Sequence, residues 1–276
     1  KKTLSPENRP NVLFVVCDDL NTHVSTSGYE YIKTPALDDL AAHSMTFHRA
    51  YCQYPVCGPS RASFLSGLYP ESTGVLNNTT DIRQSRPDSV SMPQRFKANG
   101  YWTASVGKVF HSIHQQHGEV AWHDQIMFQN DELPLVARAR QTYEAENGSV
   151  DLGANRKNWK AHLQKLSKQT RGQTPPGYGP TDLKDEQHKD GKNVRQIISW
   201  LEQKKYEDKP FFIACGIQKP HVPFLAPKQY FEMYPLEKLK FTKSPADDWK
   251  DIPTLAMVKR FKAFGFEMGT ENDSLR

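Results

Sequence analysis

The chain has 276 residues, enough for one large domain or two ordinary ones, with 37% apolar residues and a mean hydropathy of −0.71. That is polar for a globular enzyme, but 14 Phe, 11 Tyr and 5 Trp supply a core and exclude a disordered chain. The net charge of +5 comes from Lys and Arg spread along the chain, without the basic stripe a nucleic-acid binder needs, and no run of 18 apolar residues exists to cross a membrane.

Taken in chain order, Asn11 to Cys17 is a continuous apolar run rich in β-branched residues, ending abruptly in Asp18-Asp19. It reads as a strand buried on both faces, the pattern of a parallel sheet covered by helices. Thr34-Pro35 opens a helix, with Thr34 as N-cap, Pro35 at the first helical position and Leu37, Leu40 and Ala41 on its apolar side. Phe47 to Cys52 reads as a short strand. Gly58-Pro59-Ser60-Arg61 leads into a helix from Ala62 to Ser66, stopped by Gly67. Met92 to Asn99 is a further helix closed by Gly100, and Tyr101 to Val106 returns as a strand followed by Gly107-Lys108.

From about Gln115 to Gly191 the sequence shows little periodicity, and Pro175-Pro176-Gly177-Tyr178-Gly179-Pro180 within it reads as loop. Asp190 to Lys205 is an amphipathic helix with Val194, Ile197, Ile198 and Leu201 on one side. Pro210 to Gly216 is another buried strand, and the loop Gln218 to Phe224 follows it. After Pro235 the chain is irregular. No repeat or linker divides it, so residues 1–276 read as belonging to one domain without an internal boundary.

Strands alternating with helices give an α/β class, with a mixed, mostly parallel sheet and helices on both faces. Asp18 and Asp19, Lys108 and His111, and His221 each follow a strand. Ligands of open α/β sheets bind at the carboxyl ends of strands, so three strands deliver acidic, basic and imidazole groups to one edge.

Two adjacent carboxylates suit a hard divalent cation, although a lone Asp-Asp is more often a cap or a solvated turn. Cys17, Cys52, Cys57 and Cys215 form no dense disulfide framework, and Cys17 and Cys215, inside apolar runs, read as core thiols. Cys57-Gly-Pro-Ser-Arg61 is the most informative segment. A cysteine phosphatase would place five residues between Cys and Arg, and here three intervene. A zinc site from His48, Cys52 and Cys57 lacks regular spacing and a second ligand pair. His111, His114 and His117 repeat every third residue, but the third would point away on a helix, so His114 and His117 read as surface histidines.

Cys57-Gly-Pro-Ser-Arg61, with Leu65-Ser66-Gly67 after it, resembles the signature of the type I, formylglycine-dependent sulfatases. Asn11-Val12, Thr34 to Leu40 and Gly67-Leu68-Tyr69-Pro70 resemble the family as well. Gly107-Lys108-Val109-Phe110-His111, Lys219-Pro220-His221-Val222-Pro223-Phe224 and Tyr234-Pro235-Leu236 resemble the iduronate-2-sulfatase subgroup.

The resemblance implies an alkaline-phosphatase-like fold and oxidation of Cys57 to formylglycine by a formylglycine-generating or sulfatase-maturing enzyme. The hydrated aldehyde has two hydroxyls: one can attack sulfur, and the other can expel sulfate as the aldehyde re-forms. A helix N-terminus beside it favours an anion. The resemblance assigns calcium, or magnesium in its place, to Asp18, Asp19 and residue 57. It assigns Lys108 to the sulfate and diol, His111 to the second hydroxyl, Arg61 to holding the diol, and His221 to sulfate and the leaving alcohol. An ordinary imidazole suits that last role near neutral pH.

The implied substrate is a sulfated uronic acid or related sugar of a glycosaminoglycan or other polysaccharide, in a secreted, periplasmic or lysosomal setting. No signal peptide is visible, and KKTLSPENRP fits a processed N-terminus. Phosphate or phosphonate ester hydrolysis within the same superfamily is the alternative, and a non-catalytic fragment the third reading. The family also has a later strand ending in Asp-His or Asp-Asn, with a further lysine. Asp247-Asp248 and Asn272-Asp273 do not follow buried strands, so the expectation is an N-terminal part, with a C-terminal chain of the same precursor completing the site.

Overall fold

Three apolar runs and one short strand pair in a four-stranded parallel sheet. Its strands are β1 (Val12–Cys17), β2 (Trp102–Gly107), β3 (Asp124–Ile126) and, later in the chain, a strand Phe211–Ile217, in the order β1, Phe211–Ile217, β2, β3. The computed structural model describes residues 9–111, 118–128, 134–150 and 178–239, with scattered positions between 155 and 166 and between 247 and 267. A separate parallel pair joins β4 (Tyr178–Thr181) to β6 (Phe224–Pro227), so Phe211–Ile217 is β5.

β5 is central, and its side chains alternate between two cores. Phe212 and Ala214 face Leu65, Tyr101, Phe110 and Trp122, with Phe14, Met92 and Phe96 packed against them. Ile213 and Cys215 face Trp102, Ala104, Val106, Ile197 and Trp200. Both faces of β5 are therefore covered, which is why its sequence is an unbroken apolar run rather than an alternating one. Burial pushes the Cys215 thiol up to about 12, so it is an inert core group.

β1 departs from the expectation. It is the sheet edge, and Leu13 and Val15 are 51% and 54% exposed, because the helix over Ile213 and Cys215 reaches β5 and β2 but leaves the same face of β1 uncovered. Cys17 lies on that exposed face and is no core thiol.

Among the described residues the longer helices are α1 (Pro35–Ala42), α2 (Cys57–Ser66), α3 (Met92–Ala98), α4 (Pro134–Asn147) and α5 (Lys189–Glu202). α2 begins at Cys57, five residues before the expected Ala62. Pro59 is tolerated there because first-turn N–H groups have no helical partner to lose. α3 starts at Met92 as expected, and the Ser91 before it is the N-cap, its backbone N–H donating to Gln94 Oε1 at 2.7 Å. Thr34 precedes α1 but does not cap it; its hydroxyl accepts from the Ser25 backbone N–H at 3.1 Å. Phe47 to Cys52 forms no strand, since no neighbouring strand offers a ladder to it, and Phe47 and Tyr51 are exposed.

Contacts divide the chain into two units, residues 1–129 with 185–221, and residues 130–184 with 222–276. The first holds the sheet. The second holds β4, β6, the short helix Lys228–Glu232 and α4, whose Tyr143 clusters with Trp159 and His162. α4 has no counterpart in the sequence reading. Its Ala, Arg, Gln and Glu content favours helix without an apolar stripe, and an Arg140–Glu144 pair at 3.2 Å adds support one turn apart. Tyr178-Gly179-Pro180, expected as loop, belongs to β4; in a two-stranded pair Pro180 can lie at an edge without breaking a ladder. Pro175 to Gly177, His114, His117, Asn272 and Asp273 lie outside the described residues, and Asp247 and Asp248 sit in a turn. Among the described residues no helix is long and apolar enough to cross a membrane.

Candidate active site

The carboxyl ends of β1, β2 and β5 and the first turn of α2 meet within the first unit. The Asp18 N–H continues the β1–β5 ladder by donating to Ile217 O at 3.0 Å, which turns the Asp18 side chain inward, where it is 4% exposed. Its Oδ1 accepts from Arg61 Nη2 at 2.9 Å, and its Oδ2 pairs with Lys108 Nζ. Burial by itself would raise the pKa of the Asp18 carboxyl, but the hydrogen bond from Lys108 and the charge and hydrogen bond of Arg61 outweigh it, leaving the pKa below the ordinary value. Arg61, 3% exposed, also donates to Val109 O at 2.8 Å and to Lys108 O. It therefore braces Asp18 and the turn after β2 with the planar fork a lysine lacks. Asp19 adopts φ 60° and is exposed, its carboxylate 3.9 Å from His221 Nε2.

Cys57 is the first residue of α2 and is half-buried. Val56 before it has no side chain that can cap. Asn78, twenty residues on, takes that part: its Oδ1 accepts from the Gly58 N–H at 2.8 Å. The sequence reading missed Asn78, because capping groups are sought beside a helix start, not across a loop. Burial raises the Cys57 thiol pKa, with Lys108 opposing and Asp18 and Asp19 adding to the rise.

β2 ends in Gly107, at φ 74°, where a Cβ would come within 2.2 Å of Gly216 O and 2.5 Å of Asn193 Nδ2. Lys108 N donates to that same Gly216 O at 3.3 Å. The glycine thus lets the β2 and β5 ends approach, and the approach aims Lys108 at Asp18. Gly107→Ala should lose on the order of 2–4 kcal/mol of stability in urea unfolding, from the left-handed backbone and the clash together. An unchanged urea midpoint would mean that this approach is not tight.

His111 is half-buried, and its Nδ1 is buried without a hydrogen-bond partner among the described residues. Burial, then the charges of Lys108 and Arg61, lower its pKa, so it is neutral near pH 7 and its free nitrogen can accept a proton. His221 follows β5 in a turn closed by its N–H to Gln218 O at 2.9 Å. One ligand atom each from Asp18, Cys57 and His221 lies within 4.8 Å of the others. Asp18, Arg61 and Lys108 are thus in direct contact, Cys57 and His221 stand beside Asp18, and Asp19 is on the open side.

A cation fits this donor set in part. The Asp18 and Asp19 oxygens are hard ligands, and an oxygen at residue 57 would match them, whereas the thiol of an unconverted Cys57 would not.

The sequence model of the family described as Sulfatase matches residues 10–246. A sulfatase of Formosa agariphila is 32% identical over 279 residues, covering 93% of this chain and 48% of the relative. The iduronate 2-sulfatase of Homo sapiens is 33% identical over 239 residues, covering 85% of this chain and 39% of the relative. The chain thus spans about half or less of the length of these relatives. In fold it is similar to the crystal structure of Ps i-CgsB in complex with k-i-k-neocarrahexaose, at a TM-score of 0.57 and 20% identity, over 84% of this chain and 50% of that one. It is equally similar to the phosphonate monoester hydrolase of Agrobacterium radiobacter, at a TM-score of 0.57 and 20% identity, over 82% and 44%. The parallel sheet and its helices are thus a fold shared with these two structures.

Proposed function

The chain belongs to the sulfatase family, and from that premise we propose that it carries the nucleophile-bearing part of a sulfate ester hydrolase acting through formylglycine at position 57. The observation that carries this reading is the convergence of Asp18, Cys57 and His221 within 4.8 Å, with Lys108 and Arg61 on the Asp18 carboxylate.

Asp18, Asp19 and the oxygen of residue 57 would hold calcium, or magnesium, which when bound supplies positive charge for the sulfate oxygens. Lys108, fixed by Asp18, adds a charge set before the reaction begins. His221 gives a proton to the departing alcohol oxygen. His111, whose buried Nδ1 has no partner among the described residues, takes the proton from the second hydroxyl at position 57.

The substrate proposed is a sulfated uronic acid or related polysaccharide sugar, because the iduronate 2-sulfatase of Homo sapiens is 33% identical. A secreted, periplasmic or lysosomal setting suits it. Further polypeptide, such as a C-terminal chain of the same precursor, would cover Leu13 and Val15 on the open edge of β1. Phosphonate ester hydrolysis is kept as a second reading only for the shared fold with the Agrobacterium radiobacter hydrolase.

The test joins two measurements on one preparation. The peptide holding residue 57 should be lighter than its cysteine form in intact-mass analysis, and the converted fraction should track hydrolysis of 2-O-sulfated uronate disaccharides. Conversion together with turnover of phosphate diesters alone would overturn the sulfatase reading.

A further inference from the structure

The turn that carries His221 is held from outside the site. Asp190, the second residue of α5, accepts from Gln218 N at 2.8 Å through Oδ1 and from Lys219 N at 2.8 Å through Oδ2. Lys189 Nζ donates to Gln218 Oε1 at 3.0 Å. Gln218 O in turn accepts the His221 N–H at 2.9 Å, so one carboxylate fixes the backbone from which the imidazole projects.

One turn along α5, Asn193 is fully buried, and its Nδ2 donates to Gly216 O at 3.1 Å. That carbonyl also accepts from Lys108 N, so Asn193 ties the end of β5 to the end of β2. The Asn193 Oδ1 is buried and has no partner among the described residues. Leaving such an acceptor unsatisfied costs about 1–3 kcal/mol, which an apolar side chain would avoid. Asn193 is thus poorly explained by stability, and well explained by placement of the two strand ends.

We propose that Asp190 is a positioning residue for His221, with Asn193 registering that turn against Lys108. The inference rests on the proposed role of His221 as proton donor to the leaving group. Two charge-assisted bonds to consecutive N–H groups set both the height and the direction of the turn, and a displacement of about 1 Å at a reacting group costs on the order of 10²-fold in rate. The plain alternative is that Asp190 only favours the N-terminus of α5, as any carboxylate in a first helical turn does. That alternative predicts a loss of stability and equal losses on every substrate.

The test uses the converted holoenzyme with Asp190→Asn, His221→Ala and the double variant, each assayed on a sugar sulfate and on nitrophenyl sulfate. Asp190→Asn should lose about tenfold more kcat on the sugar sulfate than on the aryl sulfate, whose leaving group needs little protonation. The double variant should be no slower than His221→Ala, because both changes act through one group. If Asp190→Asn fails to fold, Asn193→Ala should show the same substrate bias. Equal losses on both substrates, or additive losses in the double variant, would overturn the positioning role. Absence of bias in His221→Ala itself would remove the proton-donor reading and this inference with it.

Discussion

Cys57→Ser should release one equivalent of alcohol per enzyme and then stop, with steady turnover reduced roughly 10³-fold or more. The serine hydroxyl would occupy the first position of α2, beside the same Lys108, Arg61 and His221 groups. Attack on sulfur forms the Oγ–S bond, with the serine hydroxyl proton lost to water, and breaks the bond from sulfur to the alcohol oxygen, which takes its proton from His221. The resulting sulfate ester has no second hydroxyl on its carbon, so His111 has no proton to remove and sulfate stays attached. Mass spectrometry after brief incubation should find added sulfate on the peptide holding residue 57. His111→Ala should trap the same kind of adduct on the converted enzyme. Steady turnover by Cys57→Ser, or no adduct in either variant, would mean that the second hydroxyl is not what releases sulfate.

Asp18→Ala should destabilise the calcium-free chain by about 3–5 kcal/mol, because it leaves two cationic groups in a nearly dry site without their carboxylate. The Arg61 and Lys108 side chains are 4% and 13% exposed, so water cannot replace the lost partner cheaply. Against a total stability of about 5–15 kcal/mol this is a large fraction, readable as a lower urea midpoint at an unchanged slope.

The effect has a pH signature with a definite sign. The folded-state pKa of Asp18 lies below its ordinary 3.8, so the stabilisation is fully present above that value and is lost as pH falls through the depressed pKa. The gap between the unsubstituted chain and Asp18→Asn should therefore be constant near neutrality and shrink only below about pH 4. A gap that closes near pH 6 would point to a histidine instead. A midpoint within about 0.5 kcal/mol of the unsubstituted chain would mean that solvent screens the pairs.

The local pattern was enough for much of this molecule. The runs before Asp18, Gly107 and Gln218 mark β1, β2 and β5, although only β2 and β5 have the two-sided cover that such a run implies. Gly67 and Gly100 mark helix ends through backbone angles set within a few residues. Cys57 to Arg61 is legible for a similar reason, since one turn of helix brings those positions to one end of α2.

Tertiary structure alone decided what depends on partners far along the chain. A run such as Val12–Cys17 states that burial is wanted but not which strand lies beside it; pairing with Phe211–Ile217 on one side only left Leu13 and Val15 exposed. The Asp18–Arg61–Lys108 cluster joins residues 43 and 90 positions apart. The bonds from Asn78 to Gly58 and from Asp190 to Lys219 span 20 and 29. None of these pairs has a sequence period, because contacts closed by strand order and loop path follow from which apolar faces find each other in the folded chain. A helix such as α4, held by propensity and not by an apolar stripe, is invisible to periodicity for the complementary reason: its residues ask for helix without saying what it should pack against.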